Sequence, residues 1–132
     1  KMTAVVIVLT ADVIERNLSF ALQVLSVTKN AVLCLNLCDE AEKNGIKIDC
    51  DELSLNLGIP VVKTCATDKK GLDELKKAIY NVCSGKTKCF RVERNFEGVD
   101  ILSEKNYKQN IEKLSRIGNK ISSDCVKYEN QS

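Results

Sequence analysis

"VLCLNLCDEAEKNG", residues 32–45, decides the fold. An apolar run reading as a buried strand stops at Asn36, and Asp39 follows in an Asn-x-x-Asp pattern. The polar stretch after it reads as a short helical turn closed by Gly45. Upstream, "AVVIVLT" (4–10) is β-branched and almost wholly apolar, the pattern of a strand covered on both faces. "VIERNLSFALQVLSVT" (13–28) repeats Leu18, Ala21, Leu22 and Leu25 at helical spacing. Downstream, "DCDELSLNLG" (49–58) predicts a helix with Asp49 or Asp51 as N-cap and Gly58 just past its end. "IPVVKTC" (59–65) predicts a third strand, its proline at the tolerated first position. "GLDELKKAIYNVC" (71–83) places Leu72, Leu75, Ile79 and Val82 on one helical stripe. The order β-α-β-α-β-α implies an α/β fold, a mainly parallel sheet with helices on both faces.

In such sheets ligands bind beyond the carboxyl ends of the strands. Asn36 and Asp39 lie there after the second strand, and Thr64, Cys65 and Ala66 after the third. An ionised carboxylate accepts two hydrogen bonds side by side, and guanine offers two donors on one edge, N1–H and N2–H₂. Bonds to a charged group are worth ~1.5–3 kcal/mol each, and a site built on them rejects a base that lacks the donors. The small residues at 64–66 let backbone N–H groups approach a ligand carbonyl such as guanine O6. A plainer reading stands beside this one: an Asx-turn at Asn36, a cap at Asp39, and an ordinary strand-to-helix loop at 64–70.

Composition narrows the classes. The chain has 132 residues, 44% hydrophobic and 29% charged, enough for one domain with a real core. A net charge of +2 is too small to argue for nucleic acid or an anionic membrane. No apolar run approaches the ~20 residues of a bilayer span. Seven cysteines (34, 38, 50, 65, 83, 89, 125) include no C-x-x-C pair, and there is no histidine, so no metal-ligand set is assigned. Reduced thiols are expected, with Cys34 a small core residue.

After residue 84 the pattern changes. "CFRV" (89–92) is ambiguous as a strand; residues 103–121 regain helical spacing through Tyr107, Ile111, Leu114 and Ile117, with Ser103 and Glu104 at its start. Residues 122–132 read as a frayed tail.

Together the two loop stretches resemble the base-binding elements of translation-factor-type GTPases, N-(K/M)-x-D and S-A-(K/L). The run "NLCDEAEKNGIKIDCDELSLNLGIPVVKTCATDKKGLDELKKAI" (36–79) is similar to the second half of the G domain in the ferrous-iron transport protein B family. "ADVIERNLSFALQVL" (11–25) resembles that family's E-R-N-L helix, so the likeness spans residues 4–80. It implies guanine contacts from Asn36 and Asp39, a third pocket wall from Thr64, Cys65 and Ala66, and Leu37 packing over base or ribose. Cys65 stands where the family carries Ser, a mild change because backbone makes that contact.

The resemblance implies a partial P-loop-GTPase-like sheet with a C-terminal helical extension. Residues 1–84 are the C-terminal half of a G domain, and 85–132 a linker, the first helix of the helical domain, and the tail. The phosphate loop G-x-x-x-x-G-K-(S/T) is not found: "SGKTK" (84–88) lacks the earlier glycine and follows a helix. No D-x-x-G element or switch threonine is placed, so no catalytic residue is assigned. The expected ligand is GTP or GDP through its base, with Mg²⁺ only in an intact parent. Expected partners are the N-terminal half of the G domain and a membrane channel domain, with self-association through unpaired strand edges. The parent would sit at the cytoplasmic face of the bacterial inner membrane, and the chain would be soluble if it stands alone. Weak or no nucleotide binding and no hydrolysis are expected of the chain by itself. Two readings stay open: a degenerate α/β interaction module, and a piece of another translation-factor-type GTPase.

Overall fold

The computed structural model describes residues 3–65, 69–100 and 104–129. Three parallel strands, β1 (Val5–Thr10), β2 (Ala31–Asn36) and β4 (Val61–Lys63), form a sheet in the order β1-β2-β4. The α/β expectation holds. β2 is central, and its residues 31–35 are all buried, as its uninterrupted apolar run requires.

β1 departs from expectation. Ile7 and Leu9 are buried, but Val6 and Val8 are exposed, Val8 by 60%. The strand is covered on one face only, by α1 (Ile14–Val27), which packs on it. Its uncharged sequence carries no period-2 polar signal, so the open face was not legible. The other face of the sheet is covered by α4 (Lys69–Cys83), which packs chiefly on β2 and β4.

Leu18, Ala21, Leu22 and Leu25 form the buried stripe of α1 as predicted. α2 (Cys38–Lys43) is the short turn after Asn36, and Gly45 follows it with φ of 80°. α3 (Cys50–Leu57) is capped by the Asp49 side chain, which accepts from Glu52 N–H at 3.1 Å, and Gly58 ends it with φ of 77°. On α4, Val82 is buried but Leu72 is 47% exposed, so the predicted stripe is seated at its C-terminal end.

The C-terminal region corrects two expectations. "CFRV" is not a strand; it is an extended connection, with Phe90 N–H on Gly58 O at 3.0 Å and the Cys89 thiol near Ala31 O at 3.6 Å. The tail is not frayed through residue 128. α5 (Tyr107–Cys125) runs past 121, and β5 (Val126–Tyr128) pairs antiparallel with β3 (Ile46–Ile48) in the register Ile48↔Val126. Asp49 N–H on Cys125 O at 2.8 Å and a Lys47–Glu129 ion pair at 3.1 Å fasten this junction. Each strand has three residues, too short to carry a period. The expected helix start at Ser103 lies outside the described residues.

α5 lies against α1. Its Leu114, Gly118, Ile121 and Cys125 make one buried stripe. A Cβ at Gly118 would sit 3.2 Å from Ser19 N and 3.3 Å from Leu18 Cβ, so the missing side chain sets how closely the helices approach.

Candidate functional site

The site is built where β2 and β4 end. The parallel register pairs Cys34 with Val62 and Leu35 with Lys63, and Thr64 N–H continues the ladder to Leu35 O at 2.8 Å. Side chains alternate between faces along a strand. Cys34, Asn36 and Thr64 therefore share one face, and contacts bear this out. The Thr64 hydroxyl lies 3.3 Å from Asn36 Oδ1 and 3.3 Å from Cys34 Sγ.

The chain then turns sharply. Leu37 takes φ of 59° and ψ of 35°, the left-handed region, and it alone among the described non-glycine residues has positive φ. That conformation costs an L-residue roughly 1–2 kcal/mol. Two bonds hold the turn: Cys38 N–H on Thr64 O at 3.4 Å, and the Cys38 thiol on Leu35 O at 3.2 Å. The Cys38 pKa is pushed up to about 11, first by burial and then by neighbouring Cys50, with Lys63 opposing. Its thiol stays protonated at neutral pH and serves as a structural donor.

Asp39 falls in the first turn of α2, and no side chain caps that helix. The Asp39 Oδ1 atom is buried and has no hydrogen-bond partner among the described residues. A buried carboxylate oxygen left so is costly, and such groups call for an explanation. The plainer readings give none. Asn36 Oδ1 faces Thr64, and the Cys38 N–H that an Asx-turn would engage is bound to Thr64 O.

α4 completes the floor. A Cβ at Gly71 would lie 2.9 Å from Lys63 O and 3.2 Å from Thr64 Cα, so glycine lets the helix approach the end of β4. Of the sequence-predicted residues, Asn36 and Thr64 touch, Leu37 and Asp39 follow in the turn, and Cys65 is half-buried next to Thr64. Ala66 lies outside the described residues. Sequence reasoning missed Cys34, Cys38 and Gly71 as supports. The period of two back from Asn36 was the available signal for Cys34. Two surface grooves lie elsewhere, along α3 and α5; one is lined by Asn56, Arg94, Asn95 and Lys120, and both are mixed in charge.

Comparison with known proteins identifies the family and the fold. The family model described as ferrous iron transport protein B matches residues 1–79, more than half of the chain. The chain belongs to the ferrous iron transport protein B family. The Fe(2+) transporter FeoB of Salmonella typhimurium is 43% identical over 72 residues, which is 54% of this chain and 9% of that protein. The Escherichia coli transporter is 42% identical over the same length. The chain thus spans about a tenth of the curated FeoB relatives it matches.

Among solved structures, the cytosolic domain of the T. maritima FeoB iron transporter in its GMPPNP form superposes with a TM-score of 0.74. It is 23% identical, over 96% of this chain and 70% of that one. The L. pneumophila FeoB cytosolic domain gives 0.73 at 19% identity, over 96% and 67%. At these identities the likeness is one of fold, and it includes the C-terminal helical region. Among the described residues no helix is long and apolar enough to cross a membrane.

Proposed function

We propose that this chain carries the base-recognising portion of a FeoB G domain, in a parent that couples guanine nucleotide to ferrous-iron uptake. The observation that carries the reading is Asp39 Oδ1, buried and without a hydrogen-bond partner among the described residues, three residues after an Asn whose own oxygen is engaged by Thr64. A guanine N1–H and N2–H₂ pair offers donors to this carboxylate, whose Oδ1 has none among the described residues. Family membership and the FeoB fold support it, as does a T. maritima relative solved in its GMPPNP form. Asn36, Leu37 and Asp39 form one side of the pocket in this reading, and Thr64, Cys65 and Ala66 the other. Phosphates and Mg²⁺ are held by segments of the parent outside this sequence, and a channel domain follows from the relatives' printed function as Fe(2+) transporters. In this reading residues 85–132 are the linker, the first helix of the helical domain, which is α5, and the tail.

Affinity is set by the base alone. Two hydrogen bonds to a carboxylate contribute roughly 3–6 kcal/mol together, and the freedom lost on association offsets much of what base contacts supply, so without phosphate contacts binding is no tighter than the millimolar range, where ~1 mM corresponds to about 4 kcal/mol. The chain by itself therefore binds guanosine and GDP alike, in the millimolar range, and does not hydrolyse GTP. Amide shift mapping of the ¹⁵N-labelled chain with guanosine, GDP and adenosine tests this. Shifts centred on 36–39 and 64–65 with both guanine ligands, and none with adenosine, are expected. Equal response to adenosine, or guanine-induced shifts confined to the α3–α5 grooves, would overturn the proposal.

A further inference from the structure

We propose that Cys34, buried beneath the site, is a positioning residue whose thiol sets which end of the Asn36 amide faces the ligand; this rests on the guanine-site reading. The Thr64 hydroxyl has one hydrogen and three neighbours: Asn36 Oδ1 at 3.3 Å, Cys34 Sγ at 3.3 Å and Leu35 O at 3.5 Å. Leu35 O already accepts Thr64 N–H at 2.8 Å and the Cys38 thiol at 3.2 Å, so both its lone pairs are used. Two arrangements remain. If the Cys34 thiol donates to Thr64, the hydroxyl hydrogen goes to Asn36 Oδ1 and the amide NH₂ turns outward. If the hydroxyl donates to Cys34, the Asn36 amide turns its NH₂ inward and presents oxygen instead.

Burial selects the first. Cys34 is 4% exposed, and among the described residues Thr64 Oγ1 is the acceptor within reach of its thiol. A relay of Cys34 to Thr64 to Asn36 leaves each member donating to the next. It also leaves Nδ2 facing outward, the end that suits guanine, whose N7 and O6 edge carries acceptors only. A strand residue two positions before the Asn thereby fixes a donor at the ligand face.

The test needs no nucleotide. In the ¹⁵N-labelled chain, the Asn36 side-chain amide is expected to be rigid, with an order parameter of about 0.8, and to stay so in Cys34→Ser, which keeps the donor. In Cys34→Val, which is one heavy atom larger and cannot donate, it is expected to drop below about 0.6. Backbone shifts of β2 and β4 are expected to hold throughout, and Cys34→Ala serves as the second non-donor should the valine variant not fold. An Asn36 amide equally ordered in the folded non-donor variants, or one that Cys34→Ser fails to keep, would overturn the relay. Guanosine added to the same samples separates the two claims. A rigid amide that guanosine does not shift contradicts the base-site reading and leaves the relay standing.

Discussion

Leu37 carries the site's backbone strain, because a leucine is held where glycine is at ease. Leu37→Gly is expected to leave stability unchanged or raise it by up to ~1 kcal/mol, while the β-branched Leu37→Val costs at least as much. Urea unfolding of both variants checks this. The thiols make a second prediction. Cys38 and Cys125 are both pushed up to about 11, chiefly by burial. The unfolded chain releases these protons near the ordinary thiol value of 9.0, whereas the folded chain keeps them. Above that value the unfolded state binds fewer protons, so stability falls as pH rises from about 9 to 11. The fall is of order 1–3 kcal/mol per thiol at most. It is measured by unfolding under reducing conditions across that range. At pH 8 only about one in a thousand of these thiols is ionised, so both resist alkylation in the native chain.

At the scale of elements, Gly118 and the β3–β5 pair hold the C-terminal helix to the sheet domain. Gly118→Leu is expected to cost about 1–3 kcal/mol by forcing α5 off α1, seen as a lowered midpoint in thermal unfolding. Removing residues 126–132 deletes β5 and its contacts and is expected to cost roughly 2–4 kcal/mol. These features were the least legible in the sequence. The stripe of α1 and an aspartate cap on α3 are legible in the residues alone, because each is a local pattern of several positions, while the choice of Asp49 over Asp51 is made by the structure. "IKI" and "VKY" give three residues each and acquire meaning only by pairing across eighty positions of chain. Likewise Asn36 and Asp39 stood out by spacing at a strand end. Thr64's bond to Asn36 and the Cys34 thiol beneath it depend on the register between β2 and β4, which no local pattern encodes.

For the whole molecule, the uncovered face and free edge of β1 matter most. Val5, Val6 and Val8 are exposed on a strand with no charge and no proline to discourage pairing. The chain is expected to self-associate with concentration, and Val8→Lys to suppress this with little change in unfolding stability; sedimentation across a concentration series measures it. An antibody to residues 40–60 used on fractionated cells addresses the parent. A membrane-bound species far larger than 132 residues is expected, and a soluble species of this chain's own size would contradict the parent proposed here. Asp39→Asn tests whether Asp39 reads guanine. An amide offers one acceptor and one donor where the carboxylate offers two acceptors, which matches xanthine, with N1–H beside O2, in place of guanine. Guanosine and xanthosine are titrated into both ¹⁵N-labelled proteins. The predicted result is an exchange of preference, guanosine for the parent sequence and xanthosine for the variant. Unchanged preference in a folded Asp39→Asn protein would contradict the account.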